Sequence, residues 1–339
     1  MTTIELAPAA ASGGRYKVYF LGALTISTLL PTIVSIVNYS LFGNAFSPVV
    51  FFLSVIFIMS GAHVWITLAY YVDPKWLRFF AAHPRELFFA PAAILIGSIL
   101  LIGAMPLWFG VSFIYLAIFT NKWHHSKQNW GILSMVSKTR GASVDQLRPV
   151  IIYAWPFFLI PTAQYLPELR EFIGANLLHD LSIACGLAYL AWFASRILRL
   201  SPSVLRDPFL LTFLAATGIY FVPVAIFYGS YLVAAFPAAH ALQYYTIVLA
   251  SLTLRDRTKP AIGALKIGAL VAAVLAGITV TAFLFIKVAG GGNVWVDGPV
   301  RYFLGVLYGV NLVHFWVDAF IWKFSNAEVR KQHGQAFAF

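Results

Sequence analysis

The sequence predicts an all-α, polytopic integral membrane protein with about ten transmembrane helices and both termini on the cytoplasmic side. Of its 339 residues, 60% are hydrophobic and only 10% are charged, whereas about a quarter of the residues of a soluble domain are charged. Apolar runs recur along most of the chain, and a helical span needs about 20 such residues. Lys and Arg gather between alternate runs, which is the bias that sets membrane orientation.

Ten apolar runs follow one another with short connections. Their approximate bounds are 17–41, 48–72, 87–105, 107–137, 149–166, 175–198, 208–228, 231–254, 262–287 and 300–323. We therefore expect one transmembrane helical domain, 17–323, between a flexible cytoplasmic N-terminal tail, 1–16, and a cytoplasmic C-terminal tail, 324–339. No basic segment precedes the first apolar run, so a cleaved secretory signal is not expected.

The fourth run is interrupted by polar residues from Asn121 to Asn129. Such a segment is tolerated at membrane depth only where it packs against protein or lines a wet cavity. Two interpretations remain open at this point. Either the span crosses fully, or it ends near Thr120 and a loop follows.

The distribution of Lys and Arg supports the predicted orientation, with both termini in the cytoplasm. Of the 23 Lys and Arg residues, 18 fall in segments that the ten-span layout places in the cytoplasm, three (Arg170, Lys287 and Arg301) fall outside, and two (Lys122 and Lys127) lie within the fourth span. We expect a protein of the bacterial inner membrane. The net charge of +11 is then explained by attraction to the bilayer, and no nucleic-acid motif accompanies it.

Histidines inside the predicted spans are the main functional signal, because ionisable groups at this depth are costly and usually serve a function. Counted at about 1.5 Å per residue from the outer helix ends, most of them lie roughly 21–26 Å deep, and His240 lies roughly 14 Å deep. The predicted metal ligands are His63, His124, His125, His240 and His314.

Three further polar residues accompany these histidines on shared helix faces, since residues four apart lie on one face. Asp318 follows His314 by four positions, Gln128 follows His124 by four, and Tyr244 follows His240 by four. We predict a catalytic site in which Asp318 is a ligand or orients one. Gln128 and Tyr244 support the ligands.

The residue types define the chemistry. Cys185 is the only cysteine, so a metal here takes nitrogen and oxygen ligands. Imidazole suits iron, copper and zinc, and a mixed histidine and carboxylate set suits non-haem iron that activates oxygen. The sequence thus predicts a metal-dependent oxidoreductase or oxygenase that uses non-haem iron, with an apolar lipid or isoprenoid-like substrate and a redox partner. Copper or zinc would fit the same ligands.

The His314-x-x-x-Asp318 pair near the C-terminus, with lone histidines spread over several spans, resembles the carotenoid-cleaving membrane oxygenases of the Brp/Blh type. The resemblance covers His314 and Asp318 only, and it implies oxygenase activity. The spacing differs from the H-x-x-H-H boxes of membrane desaturases and alkane hydroxylases.

Two other interpretations stay open. A haem b-binding electron-transfer subunit would use two facing histidines as axial ligands, with His63 and His314 the best-matched pair. A proton- or ion-coupled transporter would use the intramembrane histidines with Asp318 and Lys127 as a relay or substrate site. Phosphate-loop, dinucleotide and Gly-x-Ser-x-Gly motifs are absent from the sequence.

Overall fold

The computed structural model describes residues 13–42, 61–139, 141–163, 167–220, 222, 225, 235–255, 268–279, 298–323, 326 and 328–329. Within these ranges every regular element is helical. Most of both predicted tails lies outside the described residues, and so do parts of the predicted spans two, seven, eight and nine.

Fourteen helices are named here in chain order. They are α1 (Gly13–Phe42), α2 (61–66, continued by a 3₁₀ turn over Thr67–Val72), α3 (Pro74–Ala82), α4 (Ala90–Gly103, preceded by a π-helical turn over Arg85–Phe89), α5 (Leu107–Thr139), α6 (Arg148–Ile152), α7 (Leu159–Ala163), α8 (Pro167–Ile173), α9 (Ala175–Ile197), α10 (Pro202–Leu205), α11 (Pro208–Ile219), α12 (Ala235–Arg255), α13 (Gly268–Thr279) and α14 (Gly298–Ile321).

Four helical segments in the described ranges are long and apolar enough to cross a membrane: Tyr19–Val37, Arg85–Gly103, Ala175–Ile197 and Gly298–Ile321. Only 28% of the second and third of these segments is buried inside the protein. Apolar surface of this extent is not left in water by soluble proteins. The all-helical architecture is confirmed and is consistent with a membrane protein. The number of ten spans and the cytoplasmic termini stay predictions.

Helix α5 contradicts the loop interpretation of the fourth apolar run. It continues without interruption through Asn121–Asn129 to Thr139, so the polar run is helical and is not a loop. The helix ends in a Schellman-type turn, in which the N–H of Ala142 donates to the carbonyl of Ser137 and Gly141 has a φ of +65°. Glycine suits this left-handed position because it has no Cβ.

The fifth apolar run, 149–166, is not one continuous helix. Helix α6 ends at Ile152, a 3₁₀ turn covers Trp155–Phe158, and α7 follows. The physical reason is Pro156, which has no backbone N–H to donate to the preceding turn. Two other helices begin with an aspartate cap followed by a proline. Asp73 accepts from the N–H of Lys75 before α3, and Asp207 accepts from the N–H of Leu210 before α11.

Close helix pairs hold the centre of the protein. Helix α14 packs along α4, and α1 packs along α12. Gly305 and Gly309, one turn apart on α14, allow α14 to approach α4 closely because glycine has no side chain. A Cβ at Gly305 would lie 2.7 Å from the Cα of Ile99 on α4. Helix α12 contributes to two apolar clusters, with Ile247 in one and Val248 in the other.

Candidate metal centre

Four imidazole rings from four different helices meet in the protein interior. They belong to His63 on α2, His124 on α5, His240 on α12 and His314 on α14, and all four are buried. The centroid of the His63 ring lies 4.7 Å from that of His240 and 5.0 Å from that of His314. The centroid of His124 is 5.1 Å from His240 and 5.2 Å from His314. The predicted convergence of these four histidines is what the structure shows.

Several ring nitrogens in this group make no hydrogen bond to any described residue. They are Nε2 of His124, Nε2 of His314 and both ring nitrogens of His240. A buried polar atom without a partner costs about 1–3 kcal/mol, so several in one place call for an explanation. An ion coordinated by these nitrogens is one explanation that fits their chemistry.

Asp318 completes the group from the same face of α14 as His314. Its Oδ2 lies 3.6 Å from Nε2 of His314 and 3.9 Å from Nε2 of His124. These distances are too long for hydrogen bonds. They match two ligands on one metal ion, because bonds of about 2.0–2.2 Å place ligand atoms roughly 3–4.4 Å apart.

A chain of three hydrogen bonds fixes Asp318 and His314 relative to each other. The Tyr244 hydroxyl donates to Oδ1 of Asp318 at 2.9 Å, and it lies 3.0 Å from Oγ1 of Thr67. Because the Tyr244 hydrogen is already used, Thr67 donates to Tyr244. Oγ1 of Thr67 therefore accepts from Nδ1–H of His314 at 2.7 Å.

This chain determines the tautomer of His314. With its hydrogen on Nδ1, the neutral ring presents a lone pair on Nε2, which is the atom that faces Asp318 Oδ2. Metal-binding histidines are commonly held in this way by a partner on the second nitrogen.

Two overlapping groups have ligand atoms within 4.8 Å of one another: His63, His240 and His314, and His124, His314 and Asp318. His314 belongs to both. Since its Nδ1 is bonded to Thr67, only Nε2 is available, and one nitrogen binds one ion. The two groups therefore share a single ion. Either that ion is held by ligands from both groups, up to four histidines and one carboxylate, or it is held by one of the two groups at a time.

The fifth predicted ligand, His125, lies beside this centre and belongs to neither group. Its ring stacks on that of His240, with centroids 4.0 Å apart, and its Nδ1 lies 3.5 Å from the Tyr220 hydroxyl. Adjacent residues on a helix point about 100° apart, so His124 and His125 face different neighbours. The structure places His125 against His240.

Gln128, the other predicted supporting residue, lies one turn beyond His124. Its Nε2 donates to Oε1 of Gln243 at 3.3 Å. Gln243 in turn donates to Thr28 on α1 at 2.8 Å. Gln128 thus joins an amide network that ties α5 to α12 and α1, and it also faces the cavity described below.

Sequence reasoning missed Thr67, which carries the link between Tyr244 and His314. The available signal was its position four residues after His63, on the same helix face. An apolar run gives no warning of it, because threonine is common in such helices and often bonds its own backbone.

A cavity of about 560 Å³ opens beside the centre, and His124, Tyr244 and Asp318 form part of its wall. The rest of the wall includes both apolar and polar side chains. The apolar ones include Ile132, Met135, Ile247 and Phe315. The others include Trp123, Trp322, Gln128 and three basic residues, Lys127, Arg148 and Lys323. This volume is typical of a small-molecule site.

Fold and site together define a class: an all-helical, membrane-type protein with a buried group of histidines and one carboxylate that can hold a metal ion. Comparison of the sequence with protein-family models, with curated proteins and with solved structures gives no match. The assignment of function therefore depends on the chemistry of the site.

Proposed function

We propose that this protein is an integral membrane oxidoreductase that uses a histidine-bound, non-haem iron ion on an apolar lipid or isoprenoid-like substrate. The observation that carries the proposal is the position of Asp318 Oδ2, 3.6 Å from His314 Nε2 and 3.9 Å from His124 Nε2. Three ligand atoms thus converge on one point beside a cavity that is lined partly by apolar side chains.

The donor set is one that iron takes in proteins. Mixed imidazole and carboxylate ligands with open positions are typical of non-haem iron sites that activate oxygen. Bound iron would supply the redox chemistry, and a redox partner would supply electrons. His124 and Asp318 line the cavity, so an ion that they held would lie next to a substrate in the cavity.

The protein's own residues position the reaction. Tyr244 holds Oδ1 of Asp318 and leaves Oδ2 directed at the ligand nitrogens. Thr67 keeps the hydrogen of His314 on Nδ1. The aromatic rings of Phe315 and Trp322 on the cavity wall exclude water and offer surface to an apolar chain.

Haem b is less well supported. His63 and His314, the pair that the sequence favoured as axial ligands, contact each other edge to face with centroids 5.0 Å apart. A porphyrin would have to lie between the two rings, and their direct contact occupies that space.

Metal analysis of the purified full chain with an optical spectrum tests the proposal. We expect about one iron per chain and no Soret band, in keeping with a single non-haem centre. His314→Ala should lose the metal. His83→Ala, a matched control, should keep it, because His83 bonds the carbonyl of Phe79 outside the centre. A folded preparation without metal would overturn the proposal.

A proton-coupled carrier is the second candidate, and one observation favours it. Hydrogen bonds connect Asp318, Tyr244, Thr67 and His314 without a break, and such chains of ionisable groups serve as proton relays in transporters. A metal-free protein that keeps its fold and moves protons in liposomes would support this candidate.

The topology belongs to the same proposal: ten spans, with both termini in the cytoplasm, in a bacterial inner membrane. The charge asymmetry supports it. Single cysteines in a Cys185→Ala background test it. An impermeant maleimide applied to whole cells should label Glu171→Cys, in a predicted outer loop, and should not label Ser143→Cys, in a predicted inner one. The reverse pattern would invert the orientation.

A further inference from the structure

The basic side chains of the cavity are not explained by a purely apolar substrate. Lys127, Arg148 and Lys323 come from three separate parts of the chain, the middle of α5, the start of α6 and the end of α14, and all three line the cavity beside the metal centre. All three are exposed.

These cations have no counter-charge within the part of the chain that the structure describes. None of the three forms an ion pair with a described carboxylate. The one acid among the described residues of the cavity wall, Asp318, is hydrogen bonded to Tyr244 and faces the histidines. Lys127 instead lies over the Trp123 ring, with Nζ 4.3 Å from its centroid. Such a contact orients an ammonium group without neutralising its charge.

The cavity is therefore divided by chemistry. The basic side chains of its lining are exposed, the apolar side chains are Ile132, Met135, Ile247 and Phe315, and the lining residues His124 and Asp318 are buried. A neutral hydrocarbon would leave the three cations unused. A water-soluble anion would leave the apolar wall unused.

We infer that this cavity binds a long-chain amphiphile with an anionic head group, a carboxylate or a phosphate, whose head contacts Lys127, Arg148 and Lys323 and whose chain passes His124 and Asp318. The inference rests on the proposed function for the role of the metal centre, and it narrows the substrate from an apolar lipid to an acidic one. Arg148 is suited to two-point contact with either head group through its planar guanidinium.

Binding assays on the full chain in nanodiscs of zwitterionic lipid test the inference. The ligands are a radiolabelled long-chain fatty acid, the alkyl phosphate of the same chain length and the matching fatty alcohol. We expect the acid or the phosphate to bind more tightly than the alcohol, and the tighter of the two identifies the head group. Equal binding of all three would overturn the inference.

Variants locate the effect. Arg148→Gln should weaken binding of the preferred anion by about fivefold, as expected for a partly exposed ion pair, and should leave binding of the alcohol unchanged. The triple change Lys127→Gln, Arg148→Gln and Lys323→Gln should abolish the preference. Lys138→Gln, an exposed cation on α5 that does not line the cavity, should preserve it. A triple variant that retains the preference would contradict the assignment.

The experiments distinguish failure of the proposed oxidoreductase from failure of the proposed acidic-head-group site. If the purified chain holds no metal but prefers the anionic ligand, the oxidoreductase is wrong and the acidic-head site stands. If the chain holds iron but binds acid and alcohol equally, the metal centre stands and the acidic substrate is wrong. His314→Ala gives the same separation in one protein, since it removes a proposed ligand and leaves all three cations in place.

Discussion

Thr67→Val is the sharpest perturbation of the centre, because it removes one hydroxyl and keeps nearly the same shape. The hydroxyl oxygen is buried, 2.7 Å from Nδ1 of His314 and 3.0 Å from the Tyr244 hydroxyl. Without it, Nδ1–H of His314 has no acceptor and Tyr244 loses a donor. The ring is then free to rotate or to change tautomer, and Nε2 no longer has a fixed lone pair.

The magnitude follows from two buried bonds lost together. Each unsatisfied partner costs about 1–3 kcal/mol, so for two partners we expect a loss of roughly 2–6 kcal/mol in unfolding free energy. Removal of the group that orients a metal-binding histidine lowers metal affinity by about 10–100-fold. The measurements are iron retention against a graded chelator and thermal unfolding in detergent.

Two controls separate the hydrogen bonds from packing. Thr67→Ser restores the hydroxyl and should recover most of the iron affinity. Thr246→Val removes a different threonine hydroxyl, one that bonds the carbonyl of Leu242 on its own helix, and should leave iron affinity unchanged. If Thr67→Val binds iron as tightly as the unmodified chain, the argument for a tautomer set by Thr67 is refuted.

Three more outcomes follow from the geometry. Tyr244→Phe should lower iron affinity by about 10–100-fold, because Oδ1 of Asp318 loses its donor, and unchanged chelator titrations would speak against this role. His125→Phe should keep stoichiometric iron, since His125 stacks on His240 outside both ligand groups, and loss of iron with an intact fold would restore it as a ligand. Gly305→Ala should destabilise the protein by about 1–3 kcal/mol through overpacking against Ile99, whereas Gly97→Ala, with open space at its Cβ, should be tolerated in thermal unfolding.

Helical structure was predictable because apolar composition and run length leave few alternatives at membrane depth. The pairing of His314 with Asp318 was predictable for a similar reason, since four residues on a helix bring two side chains to one face. Counting along the helices also predicted that His63, His124 and His314 lie at nearly one level. The same count placed His240 shallower, although the centroid of its ring lies 4.7 Å from that of His63. In each case a local rule acted on a local pattern.

Tertiary contacts set the limits of that reasoning. The sequence treats His124 and His125 alike, and only the packing of α5 against α12 and α14 decides which ring joins the centre. Pro156 interrupts the fifth apolar run, although hydropathy alone favoured one helix. Thr67 acquires its role from contacts with residues 177 and 247 positions away, which no local pattern encodes.

The distribution of ligands over the chain has a physical consequence for the fold. His63, His124, His240 and His314 come from four helices. Ring nitrogens of His124, His240 and His314 make no hydrogen bond to any described residue, and each opposes the packing of these helices, since a buried polar atom without a partner costs about 1–3 kcal/mol. Coordination to one ion would reverse the sign of this contribution, because the same nitrogens would then tie α5, α12 and α14 to a single point. Because such a site does not exist in the unfolded chain, the free energy of metal binding adds to the free energy of folding. The arrangement is thus unfavourable as a purely structural core and favourable as a metal centre, and this difference is the main physical reason to assign it a function.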